Sequence, residues 1–178
     1  MDPIVSPHCR IRHPEHFKVG AYSIVDDFCY FSTQVQIGMG SHIATGCSVA
    51  RGKARRFRLG DLSSISAGTR IWCTSNDYAQ DLVAIVPDWA APIGDAPIAG
   101  DVSIADYTGV GANSVIMPGN DIPVGTTLGA LSFVPPGFRF EPWSVYAGAP
   151  IRLVGRRNRE RVLQQAELLR ARLAARQH

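Results

Sequence analysis

From Val19 onward an apolar residue returns at every sixth position: Val19, Val25, Phe31, Ile37, Ile43 and Val49. A period of six matches neither the 3.6 of a helix nor the 2 of an ordinary strand. The series slips across Arg51 to Arg58, resumes with Leu59, Ile65 and Ile71, and breaks across Cys73 to Pro97. It then runs through Ile98, Ile104, Val110, Ile116, Ile122, Leu128 and Val134. Chance supplies three matches in a row, but not seven.

The fourth residue after each apolar one is also restricted, as in Ser23, Cys29, Val35, Ser41 and Cys47, and later Thr108, Ser114, Asn120, Thr126 and Ser132. Gly or Ala often follows the apolar residue directly, as at Gly20, Gly38, Ala44, Gly60, Ala105, Gly111 and Gly129. One large and one small residue per six, beside a tight corner, describe a short strand and a turn repeated around a narrow prism. The large residue fills the interior and the small one fits the corner. Each repeat buries its apolar side only by stacking on its neighbours.

Composition agrees. The chain has 178 residues, 19% charged and 8% aromatic, with 17 Gly and 12 Pro. It is read as one domain over residues 1–178. An N-terminal segment covers 1–18, the repeats cover 19–134 with a projecting loop at 73–97, and a C-terminal segment covers 135–178. That last segment contains a helix from about Asn158 to Arg176, with its stripe at Val162, Ala166, Leu169 and Leu173. No apolar run approaches the roughly 18 residues of a membrane span. No apolar stretch of signal-peptide type opens the chain, and a cytoplasmic location is expected. The net charge of +3 gathers at Arg51 to Arg58 and Arg152 to Arg176 without interleaved stacking aromatics, so no nucleic-acid partner is expected. Cys9, Cys29, Cys47 and Cys73 form no CxxC pair and read as reduced thiols.

Several motifs go beyond the period: Gly111-Ala112-Asn113, Pro118-Gly119, Gly129-Ala130-Leu131-Ser132 and Ala147-Gly148-Ala149-Pro150-Ile151-Arg152. With the repeat, they make the chain resemble the hexapeptide-repeat acyltransferases, and among these the sugar and polysaccharide acetyltransferases. The resemblance covers roughly Val19 to Val134. It implies an all-β fold, a left-handed parallel β-helix with a projecting loop and a C-terminal α-helix. It also implies an acyl-CoA donor, usually acetyl-CoA, a homotrimer, and a sugar acceptor such as a nucleotide-linked sugar or a surface-polysaccharide precursor.

Ala112 and Ala130 stand 18 residues apart, one coil of three hexapeptides, and so share a face. A pantetheine arm is thin and amide-bearing and suits such a small-residue path, which makes Gly111, Ala112, Gly129, Ala130, Leu131 and Pro150 the expected donor site. Arg152, just past the last coil, is expected to meet a nucleotide phosphate. Many family members place a catalytic His on the projecting loop. This loop has none, reading Thr74-Ser75-Asn76-Asp77-Tyr78. His42 is the one histidine inside the repeats, and it is read either as a base beside the thioester or as a corner residue bonded to a neighbouring coil. Asn76 and Asp77 are loop candidates for orienting the acceptor or taking its proton, or else they form an Asx turn. Tyr78 and Trp89 are candidate walls for the sugar or base. An amine acceptor attacks once neutral and tolerates a missing loop base better than a hydroxyl does.

A carbonic anhydrase on the same prism needs three His ligands for zinc, and a single His in the repeats does not supply them, so no metal is expected. A catalytically inactive CoA-binding or scaffold trimer is the alternative, favoured by the missing loop His.

Overall fold

The computed structural model describes residues 1–80 and 97–175. Its body is a parallel β-helix whose three faces are sheets of eight, six and five strands. Most strands are two to four residues long, because a repeat of six leaves room only for a short strand and a corner. On face 1 the ladder Val5, Val25, Ile43, Ile65, Val110, Leu128 and Tyr146 is in register from coil to coil. Ile11, Phe31, Val49, Ile71, Ile116 and Val134 stack on face 2. Val19, Ile37, Leu59, Ile104 and Ile122 stack on face 3. These columns form one continuous core, in which Ile43, Ile65, Ile116, Ile122 and Val134 are fully buried.

The parallel ladder is longer than the stretch 19–134. It begins at Ile4–Val5, paired with Ile24–Val25, and residues 1–18 belong to it. The first coil hides from the periodicity because a short 3-10 turn, Pro14–His16, puts extra residues between Ile11 and Val19. At the other end Ser144–Ala147 still pairs in parallel with Thr127–Leu128. The period of six survives past Pro135-Pro136 through Phe140 and Tyr146, but with aromatic fillers. Phe138, Phe140 and Tyr146 pack edge to face at the foot of the prism. Arg152–Arg156 then turns back antiparallel and closes the sheet edge.

The small residues at the corners do more than fit. Ser41 N–H donates to Ser23 Oγ at 2.9 Å, Ser63 N–H to Ser41 Oγ at 3.1 Å and Thr108 N–H to Ser63 Oγ at 3.0 Å. Each of the three serine hydroxyls donates in turn to a carbonyl of the next coil: Gly38, Gly60 and Ala105. A buried corner must satisfy both a donor and an acceptor, which a hydroxyl does in the volume of a methyl group. Among the described residues no buried side-chain N or O lacks a partner.

Helix α1, Arg159–Ala175, packs along one corner of the prism. Asn158 Oδ1 caps it by accepting from Arg161 N–H at 3.0 Å. Ala166 is buried against the prism and Val162 half-buried, whereas Leu169 of the expected stripe is 42% exposed. Arginines in and just before α1 also reach the prism. Arg170 lies over Tyr107 and Arg159 over Trp143, and Arg157 donates to the Tyr107 and Gly125 carbonyls. No helix of the described residues is long and apolar enough to cross a membrane.

Candidate functional site

The outward positions of face 1 form a line of neighbours: Ile24, His42, Ser64, Gly109, Thr127 and Val145. His42 takes the outward position because Ile43 beside it takes the inward one. Its Nε2 lies 2.9 Å from Asp26 Oδ2, and both side chains are about two-fifths exposed (44% and 42%). A carboxylate only accepts, so Nε2 donates the proton of this bond, and in a neutral imidazole Nδ1 is then the acceptor. Asp26 had no sequence signal of its own. The coil length gives one in hindsight: it places Ile24 beside His42 and Asp26 two residues further, in reach of a diagonal cross-strand contact.

Below His42 a corridor of small residues follows the edge of face 1. It runs through Ala44, Ser66-Ala67, Gly111-Ala112 and Gly129-Ala130 to Ala147, on successive coils. The coils are packed so closely that a Cβ at Gly111 would stand 2.2 Å from the Ala130 backbone nitrogen. Gly111→Ala is therefore expected to destabilise the fold by about 1–3 kcal/mol, read as a lower denaturant midpoint. Leu131 borders the corridor with positive φ and 70% exposure. Pro150 and Arg152 are exposed at its end, with Arg152 opposite Ala147 in register. From the strand of His42 to that of Val145 is four strand spacings, about 19 Å. That is the reach of about five extended residues, the length class of a pantetheine arm.

The loop candidates lie elsewhere in the chain. After Trp72 the chain leaves face 2, and Thr74–Ser75 pairs with Ile98–Ala99 as a two-stranded antiparallel ribbon. Asn76 Oδ1 accepts from Arg51 Nη1 at 2.6 Å, on the face-2 side and away from His42. Asp77 accepts from Ala79 N–H at 3.0 Å and from Gln80 Nε2 at 2.7 Å, so its carboxylate forms a local turn. Tyr78 is 76% exposed. Trp89 lies outside the described residues. Within one chain the structure therefore gathers His42 and the residues expected at the donor site on face 1 and leaves Asn76 and Asp77 on another side.

The four cysteines are free thiols. Burial pushes the Cys73 thiol up to about 11, so it stays protonated and inert at neutral pH. Among the described residues no three His, Cys, Asp or Glu side chains gather as a metal cluster.

No protein-family model matches the sequence, and no curated protein matches it. Solved structures do resemble the chain. One is AntD, an N-acyltransferase from Bacillus cereus, in complex with dTDP and 3-hydroxybutyryl-CoA. It is 27% identical with a TM-score of 0.84, over 95% of this chain and 87% of that one. A single-residue variant of AntD in complex with dTDP-4-amino-4,6-dideoxyglucose and coenzyme A is 26% identical, with a TM-score of 0.83 over 95% and 88%. A maltose O-acetyltransferase from Clostridium difficile is 18% identical with a TM-score of 0.63, over 82% of this chain and 72% of that one, and shares the fold. In its repeat of six, its three-faced prism and these neighbours, the chain is similar to the hexapeptide-repeat acyltransferases.

Proposed function

We propose that this protein transfers an acyl group from acyl-CoA, acetyl being the group expected, to the amino group of a nucleotide-linked sugar. The observation that carries the reading is the corridor, with a carboxylate-partnered histidine at one end and an exposed arginine at the other, at the spacing of a pantetheine arm. AntD, whose solved complexes hold coenzyme A compounds together with dTDP or a dTDP-amino sugar, supports an amine acceptor on a nucleotide handle.

Bound acyl-CoA supplies the activated thioester carbonyl. His42 Nδ1 takes the proton released as the neutral amine adds, and returns it to the departing sulfur. Asp26 holds the ring in the required tautomer and stabilises the imidazolium. Gly111, Ala112, Gly129 and Ala130 leave the edge of the prism open to the arm, and Arg152 meets a phosphate. Exposed Ile4 (55%), Ile24 (40%) and Phe133 (37%) on the outer faces support self-association, in this reading a homotrimer in the cytoplasm. Asn76 and Tyr78 serve the acceptor side there.

A thiol-release assay tests the reading, with acetyl-CoA and 3-hydroxybutyryl-CoA as donors and dTDP- and UDP-linked amino sugars, free amino sugars and maltose as acceptors. Release is expected only with a nucleotide-linked amino sugar. No release with any acceptor, with thermal stabilisation by millimolar coenzyme A retained, would make the chain an inactive CoA-binding trimer.

A further inference from the structure

A second groove, of about 810 Å³, runs along face 2, away from the His42 line. Its floor is small (Ser32, Ser48 and Ala50), and around it stand Tyr30, Trp72, Arg12, Arg51 and Lys53. Among the described residues no carboxylate lines it. We propose that this groove binds a nucleoside diphosphate, the handle by which the acceptor sugar is held. The inference rests on the acyltransferase reading above and adds the place and the residues.

The basic wall is the insertion that breaks the repeat after Val49, and it is pinned from beneath by three consecutive side chains. Ser32 Oγ accepts from Arg51 N–H at 3.0 Å. Thr33 Oγ1 donates to the Gly52 carbonyl at 3.0 Å and also to the Arg55 carbonyl. Gln34 Nε2 donates to the Lys53 carbonyl at 3.3 Å. Arg51 and Gly52 are both held at positive φ, 69° and 93°. A loop fixed in this way presents its cations with little ordering left to do on binding. The Arg51 guanidinium lies 5.9 Å from the Trp72 ring centroid, so the forked donors and the indole face adjoin each other.

Each part of the groove suits one part of the ligand. Arg51 and Lys53 face the diphosphate, with Arg12 opposite, within 3.5 Å of the Tyr30 hydroxyl. The strands of Tyr30 and Trp72 lie two spacings apart, with Ser48–Ala50 between them. That leaves about 10 Å along the floor, enough for a planar base to lie against an aromatic face, a contact every base can make. The sugar beyond the diphosphate then emerges beside Asn76, whose amide oxygen is already tied to Arg51, and meets the face-1 corridor of a second copy in the proposed homotrimer. A cationic wall with no carboxylate among its described lining residues attracts anions.

The test is calorimetric titration of the full chain with dTDP and UDP, without coenzyme A, alongside tryptophan fluorescence. Saturable binding is expected, with most of the fluorescence change lost in Trp72→Phe. Arg51→Gln and Lys53→Gln should each raise Kd about tenfold or more, while Arg161→Gln on α1 leaves it unchanged. Saturating coenzyme A should not displace the nucleotide. No saturable binding, an unchanged Kd in both Arg51→Gln and Lys53→Gln, or competition by coenzyme A would each overturn the assignment, the last by giving the groove to the donor. If nucleotide binds as expected but no acceptor releases thiol, the acyltransferase reading fails and the nucleotide site stands.

Discussion

Ile65→Ala is expected to lower the unfolding free energy by about 2–5 kcal/mol, read as a drop in denaturant midpoint at unchanged m-value. Ile65 is fully buried in the middle of the face-1 column, between Ile43 and Val110. Its removal opens a cavity that cannot close, because the backbone of its coil is bonded to the coils on both sides. Ser64 N–H donates to the Thr108 carbonyl, and Ser63 O accepts from His42 N–H, both at 2.9 Å. The control is Leu168→Ala, 56% exposed on α1, which should cost no more than about 0.5 kcal/mol. Equal losses at the two positions would mean that the interior columns do not hold the prism together.

His42→Ala is expected to reduce kcat by about 10²–10⁴-fold with a much smaller change in KM for the acyl donor, the pattern of a lost general base. Asp26→Asn should cost less, because the amide still holds the ring but no longer stabilises its charged form. Asn76→Ala should act chiefly on KM for the acceptor, since its oxygen is bonded to Arg51 on the face-2 side. Full activity in both His42→Ala and Asn76→Ala would show that the catalytic residues lie elsewhere, whatever the reaction. The expected contrast follows from placement: His42 stands on the small-residue corridor, whereas Asn76 stands at the other groove.

The fold was largely legible because its rule is local and repeated. Every sixth residue must be apolar, and the corner residue before the next strand must be small. Those demands appear in the chain as they do in space. The ends were less legible for physical reasons. At the first coil the turn at Pro14–His16 shifts the count. At the last, Phe140 and Tyr146 replace aliphatic fillers, and Pro135-Pro136, which cannot donate to a ladder, read as a stop. The site was legible only in part. Gly111, Ala112, Gly129 and Ala130 follow from the period. The Asp26 partner of His42 did not, because that contact runs diagonally between coils. From the sequence Asp77 reads either as a proton acceptor or as an Asx turn, and its bonds from Ala79 and Gln80 form a turn.

The sequence by itself determined the repeat, and with it the three-faced prism, the stacked core columns and the line of small residues along one edge. A residue's face follows from its number modulo the coil, so this much needs no tertiary information. Tertiary structure decided which polar groups meet across coils: His42 with Asp26, Arg51 with Asn76 and Trp72, and Ser32, Thr33 and Gln34 beneath the basic loop. The first of these runs diagonally between coils, and the others depend on insertions that break the period, where the linear count no longer says which side chains become neighbours.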